Sequence, residues 1–250
     1  MARRPAMWRP GTPRPSQAEL SRHTPRAHPT EGHKVKSSSL PLPSNVRSAV
    51  DAALGAGPIA EQLAWMSWAG TVWRMTGNGR AVFVKRAADL APERDRLAWL
   101  AGRWPVPEVA GFFHESGDDW LVTREVSGVP MYHPAVGWEP ARVAEKLGQI
   151  LRRLHSTESA DCPFGFKKRG HVLIHGDYCL PNVLVSAGEL SGLVDVGGSG
   201  LGNPEDDLAA GIWTLEYNYA KGLAGTFLEA YGWPPMTDQA IEKLRRKYGR

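Results

Sequence analysis

The sequence predicts an α+β chain in which a small antiparallel sheet with one helix precedes a larger, mostly helical half. Three observations carry this. Two runs rich in β-branched and aromatic residues, Thr71–Met75 and Arg80–Arg86, flank Thr76-Gly77-Asn78-Gly79, whose Asn-Gly pair is the strongest short hairpin signal. Two more such runs, Ala110–His114 and Trp120–Val126, flank the turn Ser116-Gly117-Asp118-Asp119. From Pro140 the pattern changes to a long helix ending near Ser156, with Val143, Leu147, Ile150, Leu151 and Leu154 on one face.

The remaining elements follow in order. Asn45–Leu54 reads as a short helix capped by Asn45 or Ser44. Lys85 falls near the end of the second strand of the first hairpin. Leu90–Trp104 reads as a helix with Leu97 and Leu100 inward, Pro92 and Glu93 in its first turn, and Pro105 and Pro107 as its stop. HVLIHGD and ELSGLVDVGG supply short strand and loop pieces, Asp206–Tyr231 returns to helix, and the chain closes on a basic EKLRRKYGR. Trp65, Trp68 and Trp99 are assigned to core packing.

Composition bounds the function. The chain has 250 residues, 42% of them apolar, enough for one or two small domains with a real core. No apolar run reaches the roughly 18 residues of a membrane helix, and the start has no apolar region for a signal peptide, so a cytoplasmic location is expected. Cys162 and Cys179 form neither a CxxC pair nor a zinc pattern and are expected as reduced thiols. The net charge of +4 hides an asymmetry: residues 1–47 hold nine Lys or Arg against two Glu, while residues 48–250 are net acidic. Residues 1–45, basic and rich in Pro and Arg, read as a disordered tail, an extension or the product of a start codon set too far upstream. No nucleic-acid or membrane partner is expected.

HGDYCLPN, His175–Asn182, carries the chemistry together with LVDVGG, Leu193–Gly198. Asp177 and Asn182 stand five residues apart around Pro181, and Asp195 follows an apolar strand with Gly197 and Gly198 allowing a sharp turn. Two carboxylates and an amide form a hard-oxygen set suited to Mg²⁺, which keeps water and phosphate oxygens in the rest of its shell. One carboxylate remains to accept a proton. Lys85, a strand cation, is placed to hold phosphates, and Glu93 on the next helix can pair with it. His175 reads as a structural hydrogen-bonder. Gly77-Asn78-Gly79 is a hairpin turn, and the absence of GxxxxGK[ST] excludes the P-loop class.

HGDYCLPN, LVDVGG and PEDDLA, with VWRM, FVKR, ERDRLAWL, WLVTREVSG, LRRLH and DCPF upstream in the same order, resemble the signatures of the aminoglycoside 3′-phosphotransferases over about Gly70 to Tyr231. The resemblance implies a bilobal protein-kinase-like α+β fold, with an antiparallel-sheet N-lobe at residues 46–126 and a mainly helical C-lobe at residues 127–250. It implies an ATP-dependent, Mg²⁺-requiring small-molecule kinase acting on a hydroxyl, with an aminoglycoside antibiotic as first acceptor. Asp177 is then the catalytic base, Asn182 and Asp195 the metal ligands, and Lys85 with Glu93 the phosphate grip. Phe83 would stack on adenine, Arg124 and Val126 would bond it through their backbone, and Asp207 would brace the catalytic loop. Glu93 and Phe83 also admit plainer readings, as a helix-start acid and as core packing.

The chain departs from this family in its substrate half. Only 11 residues, Gly165–His175, separate Phe164 from Gly176 where relatives carry a helical insertion, and they include Lys167-Lys168-Arg169. The acidic, aromatic C-terminus of the family is replaced by KLRRKYGR, and Gly198 and Trp213 stand where arginines are expected. Polycationic acceptors need carboxylates around them. A neutral or anionic hydroxylated acceptor, a weak antibiotic binder with a trimmed cradle, and a nucleotide-binding pseudokinase therefore remain open beside the first reading.

Overall fold

The computed structural model describes residues 42–66, 70–165, 172–219 and 221–248. Most of the expected tail, Trp68 and the Lys167-Lys168-Arg169 run lie outside these residues, as does the side chain of Trp65.

A five-stranded antiparallel sheet fills the first half, in the spatial order β1 (Ala60–Met66), β2 (Gly70–Gly77), β3 (Arg80–Ala87), β5 (Asp118–Arg124) and β4 (Val109–Glu115). The β2–β3 hairpin turns through Asn78 and Gly79, at φ 51° and 70°, the two positive values a tight two-residue turn demands. Register follows from that turn and places Val72 opposite Lys85. Helix α1 (Ser44–Leu54) covers one face of the sheet, burying Val46, Val50 and Leu54 against Met75, Val82, Val84 and Val122. Since side chains alternate along a strand, Phe83 and Lys85 point to the other face.

Helix α2 (Ala91–Leu100) follows β3, with a proline in its first turn as expected. It stops well before Pro105. Ala101 already has extended ψ, and Gly102 takes φ 77°, so the chain leaves the helix through a glycine turn. Other boundaries also move. The cap position falls on Pro43 rather than Ser44 or Asn45; the Asn45 side chain lies inside the first turn of α1, where its oxygen accepts the Val46 N–H at 2.8 Å and its amide donates to Glu115. Strand β5 ends at Arg124, leaving Glu125 and Val126 in the connection to the second half. Strand β1 was not anticipated.

That second half is helical, with the fold bilobal and kinase-like. Helix α3 (Pro140–His155) buries all five predicted residues of its apolar face. Short strands β6 (Val129–Pro130), β8 (Val183–Ser186) and β9 (Glu189–Leu193) form one small sheet, and β7 (Val172–Ile174) pairs with β10 (Gly200–Gly202). The expected helix from Asp206 to Tyr231 is two: α4 (Pro204–Asn218) and α5 (Ala224–Tyr231), separated at Gly222, where φ is 105°. The basic end forms a further helix, α6 (Asp238–Arg245), anchored in the core by Leu244. Trp99 is half-buried against this larger core, as expected. No helix among the described residues is long and apolar enough to cross a membrane.

Candidate active site

A cleft of about 410 Å³ is lined by Lys85, Asp89, Glu93, Asp177, Asp195 and the Gly197-Gly198 pair, among others. That is within the usual range for small-molecule sites. Three separate pieces of chain, β3 with α2, the loop after β7 and the loop after β9, supply its charged groups.

Lys85 is the junction. Its Nζ donates to Glu93 at 2.6 Å and to Asp195 at 2.8 Å. Burial pulls the ammonium down, but the facing carboxylates of Glu93 and Asp195 outweigh it and the net displacement is upward. The lysine therefore stays charged. Glu93 is displaced upward, burial outweighing the attraction of Lys85. Helix α2 is fixed against the Asp195 loop by Arg96, which donates to the Ser199 carbonyl.

Asp195 itself sits in the left-handed region at φ 59°, a conformation Asp tolerates better than most residues. In this conformation its carboxylate faces Lys85. The backbone links this loop to the preceding one, because the Val194 N–H donates to the Asn182 carbonyl at 3.0 Å. The polar set of the sequence is thus brought to one place by a two-loop contact.

Asp177 is held from both sides. The Asn182 side-chain amide donates to its backbone carbonyl at 2.9 Å and to Oδ2 at 3.0 Å. On the other side the phenol of Tyr248 donates to Oδ1 at 2.7 Å. Asn182 ends the 3₁₀ turn Leu180–Asn182, where Pro181 fixes the direction of the chain. Tyr178, fully buried, anchors the loop by donating to the Leu147 carbonyl at 2.9 Å.

Beneath the loop, Asp207 is fully buried and accepts the His175 and Gly176 N–H groups at 2.6 and 2.9 Å. It braces the loop as expected, and His155 approaches it at 3.2 Å. His175 accepts the Asp177 N–H on Nδ1 and is itself buried, which agrees with its structural reading.

The oxygen set suits a magnesium ion. With the Asn182 nitrogen turned to Asp177, its amide oxygen is the atom that remains for a cation. Asp195 has a half-exposed carboxylate with one oxygen on Lys85. Among the described residues no cluster of three or more His, Cys, Asp or Glu forms a dedicated cage, and magnesium shared with phosphate needs none.

The three adenine candidates lie apart from this cleft. Phe83 shares the sheet face of Lys85, is half-buried and joins neither hydrophobic core. Packing alone thus gives it no role. Arg124 donates its N–H to the Glu108 carbonyl, so any bond from Arg124 to a base comes from its own carbonyl. Val126 is half-buried in the connection between the lobes. The residue that sequence reading missed is Tyr248, which reaches Asp177 from beyond α6 with no local motif to announce it.

A five-stranded sheet whose lysine pairs with a glutamate of the next helix, followed by a helical lobe whose loops present an aspartate and an asparagine, defines the protein-kinase-like class. Within that class the chain belongs to the phosphotransferase enzyme family, whose model matches residues 62–170 and 166–245. The two matches meet at the short connector before β7. An aminoglycoside 3′-phosphotransferase of Niallia circulans is 25% identical over 204 residues, covering 62% of this chain and 78% of that protein. Streptomycin 3″-kinase of Streptomyces griseus is 29% identical over 222 residues, covering 64% and 79%. In both pairs this chain is the shorter partner across the match. The crystal structure of an aminoglycoside-3′-phosphotransferase of type VIII superposes with a TM-score of 0.64 at 26% identity, over 81% of this chain and 97% of that one.

Proposed function

We propose that the protein transfers the γ-phosphoryl group of ATP to a hydroxyl of a small molecule, with an aminoglycoside antibiotic as the first candidate acceptor. The observation that carries this reading is the convergence of Lys85 on both Glu93 and Asp195, in a cleft that Asp177 also lines. A phosphoryl transfer site requires a fixed cation for the phosphates and a carboxylate to orient the attacking hydroxyl. The family membership supports the same chemistry.

Each residue then has one task. Asp177 accepts the hydrogen of the acceptor hydroxyl and aims its oxygen. Lys85, oriented by Glu93, binds phosphate oxygens. Asn182 and Asp195 hold Mg²⁺, whose chemistry when bound is to neutralise those oxygens. Phe83 offers an apolar face to adenine, and the Arg124 carbonyl and Val126 N–H bond its edge. A cytoplasmic location would supply the nucleotide, and antibiotic resistance would be the outcome for an aminoglycoside acceptor.

One observation favours a second acceptor. The group on the far side of Asp177 is the phenol of Tyr248 rather than an acidic residue. A neutral hydroxylated molecule suits that surface better than a polycation. The test is ATP consumption with Mg²⁺ against aminoglycosides and neutral or anionic hydroxylated metabolites. Asp177→Ala should abolish acceptor-dependent turnover while Mg·ATP still binds, and Asp195→Ala should weaken Mg·ATP binding as well. Near-normal turnover by Asp177→Ala would remove Asp177 from the base role. Nucleotide binding with no turnover of any acceptor would favour the pseudokinase.

A further inference from the structure

The hydroxyl of Tyr248 donates to Asp177 Oδ1 at 2.7 Å. This is the bond that an acceptor hydroxyl has to make with a catalytic base, at roughly 2.6–3.2 Å. Asp177 Oδ2 accepts from the Asn182 amide, while Oδ1 accepts from the Tyr248 phenol and, at 3.4 Å, from the Cys179 thiol, so Oδ1 is the oxygen that already carries a hydroxyl.

The surroundings of Tyr248 form a wall. Its ring lies 5.1 Å from that of Trp213, which in turn stacks on Tyr217 at 5.1 Å and 13°. Tyr217 is 71% exposed, so this row of rings runs from solvent to Asp177. Tyr248 itself follows α6, which the buried Leu244 and the Arg245 pair with Glu216 of α4 anchor. Past that anchor its backbone is tied by the N–H bond to the Arg245 carbonyl at 3.2 Å. Lys247 adds an ion pair to Glu205. None of these ties runs through the phenol, so its displacement leaves the anchor of α6 intact.

We propose that Tyr248 occupies the acceptor-hydroxyl position on Asp177, and that the true acceptor displaces it and packs an apolar ring face against Trp213. This rests on Asp177 being the base. It favours, among the acceptors above, one with a hydroxylated ring that presents an apolar face, since such a face packs on an aromatic wall while that wall supplies none of the carboxylates a polycation needs. Burial, with Cys179 and Asp177 nearby, holds the phenol far above its ordinary range, so Tyr248 stays a hydrogen donor at every working pH.

The same contact has a second effect. While the phenol is in place it keeps water off Asp177 Oδ1, which suppresses futile hydrolysis of ATP. In that side reaction the water oxygen bonds to the γ-phosphorus and the bond to the β–γ bridging oxygen breaks. ADP and inorganic phosphate leave, and the water proton passes to Asp177.

The test is ADP release by the full chain with Mg·ATP and no acceptor. Tyr248→Phe keeps the ring and loses only the hydroxyl, and should raise hydrolysis severalfold. Trp213→Leu, which removes the wall behind the tyrosine, should shift it in the same direction and covers a folding failure of the first variant. Combining either with Asp177→Asn should abolish the gain. Unchanged or slower hydrolysis in both folded variants, with Mg·ATP bound, would overturn the proposal and leave the kinase reading intact. If Mg·ATP fails to bind the unmodified chain, both readings fall together.

Discussion

Lys85 of β3 and Glu93 of α2 meet at 2.6 Å, tying the sheet to the helix that borders the cleft. The pair is partly shielded from water, with Glu93 the more buried partner. Glu93→Gln removes the charge that orients the lysine while keeping the shape. A charge-assisted hydrogen bond contributes about 1.5–3 kcal/mol, so KM for ATP should rise roughly ten- to a hundredfold. Titration of the variant with ATP at saturating acceptor, or by ADP release alone, measures this.

Asp207 accepts two backbone N–H groups with its two oxygens and is fully buried. In Asp207→Asn an amide NH₂ must face one of those N–H groups, donor against donor. The expected loss is about 3–5 kcal/mol, as for breaking a buried charged pair. The urea midpoint should drop, and turnover should fall with it because the loop bearing Asp177 loses its brace.

Gly176 and Gly198 lie against one another, yet only one of them is irreplaceable. A Cβ on Gly176, at φ 88°, would meet the Gly198 carbonyl oxygen at 2.4 Å, whereas one on Gly198 finds nothing nearer than 3.4 Å. Gly176→Ala should therefore destabilise by more than the roughly 1–2 kcal/mol of a left-handed residue alone and displace Asp177. Gly198→Ala should fold normally. Thermal unfolding of the two variants side by side separates these outcomes.

Burial, with the Asp177 carboxylate next, pushes the Cys179 thiol up to about 12. The folded state thus favours the neutral thiol. Its stabilising contribution is complete below the unfolded thiol's pKa and is lost as pH rises through that value toward about 12. Alkylation by iodoacetamide at pH 8 should leave Cys179 unmodified in the native protein and label it readily in urea, read by mass spectrometry of the peptide. Native labelling at a normal thiol rate would contradict this environment.

Much of the fold was legible because its signals are local. The Asn78-Gly79 turn fixes the register of β2 and β3, and a proline and Glu93 in the first turn announce α2. Boundaries failed where long-range packing intervened. Helix α2 ends at Leu100, ahead of the turn at Gly102 rather than at Pro105, and α4 and α5 separate at Gly222, each beside a positive φ that redirects the chain. Strand β1 escaped notice because it is joined to the sheet by pairing with β2, which its own composition does not declare.

The sequence by itself determined the chemical groups of the site, since Asp177, Asn182, Asp195, Lys85 and Glu93 stand in an order and spacing that carry a phosphotransferase signature. It also determined the strand and turn chemistry that present Lys85 on the cleft face. Tertiary structure decided what closes that site. The contact between Tyr248 and Asp177 spans 71 residues and depends on where α6 packs against the core, which no periodicity or motif near Tyr248 encodes. Local chemistry is written in neighbouring residues, whereas the partner of an active-site oxygen is set by the packing of distant helices.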